Sequence, residues 1–238
     1  MNYNHSQEAS FWDKLTGTMP LSATRSAVIK QTYMLFGVSV LASMAGGYIG
    51  ATSETMVRFF SGWMGWMAAM LILNLVPQIA MAARHNPVMG VSALVFNGFA
   101  SGIALSPLLY FASMVAPSMI VAALGITGFV FLGVTTYIMT SGRTFSAPRG
   151  LMMGLFFSIM GAMILNSFMH IGVLGILISV GIGAVGVCTL VYSTSNVLGT
   201  PDADSPIPGA LMLHAGVFNV FVATLNILLR VMGGGSRD

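Results

Sequence analysis

Charge is what this sequence has least of. Its 238 residues hold nine Lys and Arg and six Asp and Glu, 6% in all, where a soluble domain carries about a quarter. With 56% hydrophobic residues and a mean hydropathy of +0.87, the chain is an integral membrane protein. A pI near 9.3 would suit a nucleic-acid partner, but the basic residues stand at the ends of apolar segments and cluster on no face, which excludes that footprint. Cysteine is nearly missing too. Cys188 alone excludes a disulfide framework, and its place in an apolar run reads as a small buried packing residue.

Catalytic patterns are absent as well. The chain has no His-Glu-x-x-His, no Gly-x-Ser-x-Gly, no phosphate-binding glycine loop and no Cys/His metal spacing. No enzyme, cofactor or metal is expected. Twenty methionines are dispersed over the chain and give no convergent sulfur set for copper. The decisive absence is of Asp, Glu, Lys or Arg well inside any apolar segment, because proton relays and ion pathways in membranes rest on buried ionisable groups.

What is present is a series of apolar stretches. A helix crosses the hydrocarbon core with about 20 such residues, and seven stretches qualify: 29–51, 59–82, 88–115, 118–140, 150–169, 171–192 and 210–232. The expected fold is an all-α bundle of seven transmembrane helices over residues 29–232. A polar cytoplasmic tail, 1–28, precedes it and a short tail, 233–238, follows. Glu8 and Asp13 argue against a cleaved leader, and Phe11 and Trp12 are the tail's candidates for docking a partner or the membrane surface. Lys14, Arg25, Lys30, Arg84, Arg143 and Arg149 fall on one side, against Arg58, Arg230 and Arg237 on the other. That bias places the N-terminus inside and the C-terminus outside.

Small residues at four-residue spacing let helix backbones approach where lipid supplies no hydrophobic drive. Gly98, Gly102 and Ser106, then Gly150, Gly154, Ser158 and Ala162, then Gly175, Ser179 and Gly183 form such stripes. Pro77 and Pro107 lie inside spans, where each removes a helical hydrogen bond and bends its helix. Polar groups at depth are amides and imidazoles: Asn74, Asn97, Asn166, His170, His214, Asn219 and Asn226. Asn219 and Asn226 share a face that should point into the bundle as interhelical glue, whereas His214 lies about 140° away from Asn219. Polar residues concentrate in the hairpin 191–229, the first place to seek a site. Asp202 and Asp204 in its loop read as solvated turn residues among prolines.

The order of certain short stretches resembles the Bax inhibitor family, in its bacterial YccA-like branch. These are Asn97-Gly98-Phe99 with Gly102 and Pro107-Leu108-Leu109, Tyr137-Ile138-Met139-Thr140, Gly150 to Gly154, Thr194-Ser195-Asn196, Phe218-Asn219-Val220-Phe221, and the terminal Ser236-Arg237-Asp238. The resemblance covers most of residues 25–238. It implies a multi-pass bacterial inner-membrane protein with membrane lipids around it and, as partner, the ATP-dependent protease FtsH, of which the chain would be substrate and modulator. Other members are described as pH-sensitive calcium leaks, latched by two acids in the last two spans against an arginine in the second. By position the acids fall on Ser193 and Gly216, so the latch region of Ser193, Asn196, His214, Gly216 and Asn219 keeps its frame without its charges. Two rival functions stay open: a cation leak with His214 in place of the lost latch, and an accessory subunit of a larger membrane complex.

Overall fold

The computed structural model describes residues 23–141, 144–145, 149–169, 171–199 and 205–234. Phe11, Trp12, Arg143, His170, Asp202, Asp204 and the C-terminal Ser236-Arg237-Asp238 lie outside them. The described residues form nine helices: α1 Ala23–Thr52, α2 Glu54–Ser61, α3 Trp63–Ala82, α4 Pro87–Ala104, α5 Ser106–Val115, α6 Pro117–Ser141, α7 Arg149–Met169, α8 Gly172–Gly199 and α9 Pro206–Gly234. Six of these are long and apolar enough to cross a membrane, namely α1, α3, α4, α6, α8 and α9; in α7 the apolar stretch Phe157–Asn166 is shorter. Large apolar side chains such as Phe129, Leu132, Phe168 and Val173 are exposed on the outside of the bundle, as lipid-facing helices require.

Two expected spans are broken, each for a local reason. In the second, Ser53 caps a short helix by accepting from the Met56 amide at 3.4 Å, and the helix stops at Gly62 before α3 begins. Helix α2 carries the exposed Glu54–Arg58 pair at 2.6 Å, followed by Phe59 against Phe60 and Trp63 stacked on Trp66. Aromatics beside charge are the composition of a membrane–water boundary. In the third, Pro107 has no N–H to give the Ile103 carbonyl one turn back. The Ser106 hydroxyl donates to that carbonyl instead, the chain turns at Leu105, and Pro107 occupies the first turn of α5. Pro107 therefore starts a helix and does not kink one. Pro77, by contrast, stays inside a continuous α3.

The connections gather at two faces. On one, the Ser205 hydroxyl donates to the Arg84 carbonyl at 2.9 Å, and the Phe145 amide donates to Ser195 Oγ at 2.6 Å. This joins the α3–α4, α6–α7 and α8–α9 connections; it is called the Arg84 face below. Asn86 caps α4 there, accepting from the Met89 amide at 3.1 Å. The opposite face carries α2. Between them α9 touches α1, α3, α4, α6 and, most extensively, α8.

Small residues explain which helices meet. A Cβ built on Gly46 or Gly98 would fall on the backbone of Phe99 or Ser39, and one on Gly102 would fall on the Ser43 carbonyl and lie 2.6 Å from the Gly47 nitrogen. Helices α1 and α4 therefore touch main chain to main chain. In the α8–α9 seam, Gly186 packs on Val220, Gly216 on Leu190, and Gly183 on Ala223, whose methyl group would lie 3.1 Å from a Cβ built on Gly183. The stripe expected in the fifth span is different: Gly154 has nothing near it and is exposed. Cys188 is exposed as well, a correction to its reading as a buried residue. Asn74 and Asn226 spend their amides on carbonyls of their own helices, those of Met70 at 2.7 Å and Val222 at 2.9 Å. Self-satisfaction of this kind serves an amide in a membrane as well as an interhelical bond does.

Candidate functional site

The α1–α4 seam fixes Ser39 in the middle of the bundle. Its carbonyl lies against Gly98, where a Cβ would sit 3.0 Å from the Ser39 carbonyl carbon. Its hydroxyl lies 2.8 Å from Nδ1 of His214 on α9. Both side chains are buried, Ser39 completely and His214 to 4% exposure. Other hydroxyls of the bundle, including Thr32, Ser101, Thr127 and Ser179, turn back to a carbonyl of their own helix. Ser39 instead bonds across to α9. Its proton needs an acceptor, and Nδ1 is the one at hand. We assign the hydroxyl as the donor to Nδ1, which leaves the ring proton on Nε2, and Nε2 is buried with no hydrogen-bond partner.

Above this pair, toward α2, lies a cavity of about 350 Å³ between α1, α4, α5, α6 and α9. Its wall is mainly apolar, with Val40, Leu109, Ile120 and Phe221, and holds the hydroxyl groups of Ser43 and Thr127 and the imidazole of His214. Met44, Tyr48 and Leu124 border it and are exposed on the outside of the bundle, so the space reaches the lipid-facing surface. On the Arg84 side of the cavity α1 and α6 close together through Phe36 and Phe131, with ring centroids 5.0 Å apart. Replacing Ser39 with alanine strands Nδ1 in this apolar setting and is expected to destabilise the fold by about 1–3 kcal/mol. The check is thermal unfolding in detergent, with Ser43→Ala, which keeps the pair intact, close to wild type.

The region singled out in the sequence divides in two. His214 joins the cavity, while Ser193, Gly216, Asn219 and Asn196 do not line it. Ser193 is buried in α8, its hydroxyl donating to the Leu190 carbonyl at 3.2 Å. Gly216 is buried against the Leu190 side chain, whose Cγ would stand 2.8 Å from a Cβ there. Leucine thus fills the space that a side chain at position 216 would need. Asn219 is half-buried, its Cβ facing Gly186, and Asn196 is exposed near the end of α8. Residues 191–196 lie inside α8, not at the end of a span, because the helix continues to Gly199. Beside Thr194, the hydroxyls of Tyr33 and Thr135 complete a buried polar group contributed by three helices.

Sequence reasoning missed Ser39, although the signal was there: Ser39, Ser43 and Gly47 repeat at four-residue spacing along the first span, as the recognised stripes do. Among the described residues no group of His, Cys, Asp or Glu is placed to hold a metal ion, and no Asp, Glu, Lys or Arg is buried.

The family model described as Inhibitor of apoptosis-promoting Bax1 matches residues 25–234. A protein of Campylobacter jejuni is 29% identical over 209 residues, covering 87% of this chain and 90% of its own. The Escherichia coli protein named Modulator of FtsH protease YccA is 27% identical over 217 residues, covering 89% and 91%. A membrane protein of Vibrio cholerae is 26% identical over 215 residues, covering 90% and 93%.

Proposed function

Because this chain belongs to the Bax inhibitor family, we propose that it is a non-enzymatic inner-membrane protein that modulates the membrane protease FtsH through protein contact. The observation that carries this reading is the likeness, over nearly the whole length of both chains, to the Escherichia coli protein bearing that name. In this reading α7 crosses the membrane as a seventh span, the Arg84 face is cytoplasmic, and residues 1–28 form a cytoplasmic tail. The mechanism is competitive occupancy. The tail, with Phe11 and Trp12, is offered to the protease while the glycine-seamed bundle resists extraction. A deletion of residues 1–20 is expected to slow the protein's own turnover by FtsH and to relieve inhibition of other substrates. Unchanged turnover together with unchanged inhibition contradicts the mechanism.

The buried chemistry favours protein contact over ion conduction. Calcium takes six to eight oxygen ligands, carboxylates prominent among them, and among the described residues the buried polar side chains are hydroxyls, one amide and one imidazole. Proteoliposomes containing the protein are expected to show no calcium flux between about pH 6 and pH 8, the range in which a histidine-gated leak would respond. A leak that is lost in His214→Phe supports the rival reading.

A further inference from the structure

The Ser39–His214 pair and the cavity beside it have no part in the protease reading. Ser39 holds Nδ1 at 2.8 Å yet does not line the cavity, whereas His214 does. The imidazole therefore lies between Ser39 and the cavity, bonded to the first and bordering the second. Nε2 has less than 1 Å² of accessible surface and no partner. Phe218, which also lines the cavity, stacks beside the imidazole with ring centroids 6.1 Å apart, and a ligand reaches Nε2 only when side chains around the ring shift. A buried donor left unmade costs about 1–3 kcal/mol. A mainly apolar wall with a few hydroxyls and one imidazole in a volume of about 350 Å³ has the make-up of a small-molecule site.

We infer that the cavity binds an uncharged carbonyl compound dissolved in the bilayer, whose oxygen accepts a hydrogen bond from Nε2 of His214 while its apolar body lies against Leu109, Ile120 and Phe221. Three observations select this class. The free group is a donor, so the ligand must bring an acceptor. No charged side chain lines the cavity, so a carboxylate or phosphate head has no counter-ion there. The opening beside Met44, Tyr48 and Leu124 lies on the lipid-facing surface, so the ligand enters from the membrane. A serine nucleophile is not implied, because Ser39 is fully buried behind the imidazole. Two sources share this chemistry, a ring carbonyl of the quinone type and the ester carbonyl of an acyl lipid.

The test uses full-length protein in lipid nanodiscs with ¹⁵N-labelled histidine, the His214 signals among the four histidines being those lost in His214→Phe. Without added ligand, Nε2 is expected to carry the proton; a proton on Nδ1 overturns the inference. Titration with a decyl-substituted benzoquinone and, separately, with a fatty-acid methyl ester is expected to move the Nε2 signal saturably for at least one of them. Response to the first alone identifies a ring carbonyl, and response to the second alone an acyl ester. Decylbenzene, with no oxygen, is expected to leave the signal in place. Leu124→Trp fills the mouth while leaving the Ser39–His214 pair intact, and is expected to weaken binding at least tenfold; Phe218→Ala is expected to strengthen it. No response to either carbonyl probe, an equal response to decylbenzene, or unchanged binding in Leu124→Trp overturns the inference.

Discussion

Replacing Gly102 with leucine is expected to abolish the folded bundle. At this position the backbones of α1 and α4 are in contact: a Cβ falls on the Ser43 carbonyl and 2.6 Å from the Gly47 nitrogen. Main chain cannot swing aside as a flexible side chain does, so the two helices must separate along their whole seam. Gly46, Gly98 and Gly50 lose their contacts with Phe99, Ser39 and Ser106 at the same time. The cost belongs at or above the upper end of ordinary overpacking, about 3 kcal/mol, which is a large share of a typical stability of about 5–15 kcal/mol. Separation also draws Ser39 away from His214. Gly133→Leu is the control, because a Cβ at Gly133 meets nothing within 4 Å; a change of less than about 0.5 kcal/mol is expected there. The readout is the fraction recovered monodisperse from detergent, with Gly102→Leu aggregated and Gly133→Leu like wild type. Equal recovery of the two contradicts the seam.

That seam was partly legible in the sequence. Gly98, Gly102 and Ser106 announce a close approach by their spacing, but spacing on one helix does not name the helix opposite. The partner stripe on α1, from Ser39 through Ser43 to Gly47, has serine at two of its three positions and so does not stand out as a glycine motif. Apolar length located the helices, yet it overran two breaks. Length counts residues and says nothing of direction, so the turn at Leu105 is visible only through the missing N–H of Pro107 and the hydroxyl of Ser106 that replaces it. Polarity alone ends α8 at residue 192, because Ser193, Thr194 and Ser195 resemble a loop; in the fold these hydroxyls are buried inside the helix. His214 and Ser39 stand 175 residues apart, and no local pattern joins residues at that distance.

Introducing an acid at Gly216 is expected to be nearly as damaging, for two separable reasons. The side chain must enter space held by Leu190, whose Cγ and Cδ2 would lie 2.8 and 2.9 Å from the new Cβ. Its charge would also stand in a region whose buried polar groups are neutral, at a cost of about 3 kcal/mol for an acid near a membrane helix centre. Gly216→Asp alone should therefore fail to fold. Leu190→Ala placed beside it removes the steric part and recovers some folded protein, while Leu190→Ala with Gly216→Asn, the uncharged counterpart, recovers more. If Gly216→Asp is as stable as Gly216→Asn in the Leu190→Ala background, charge is tolerated there and the neutrality of the interior is incidental.

In the proposed reading the glycine-seamed bundle resists extraction, which directs attention to what it does to a protein partner. The most direct measurement is the rate at which purified FtsH degrades a second membrane-embedded substrate in liposomes, with and without this protein. The rate is expected to fall as this protein is added and to recover as the competing substrate is raised. An unchanged rate with this protein in excess contradicts a modulator role.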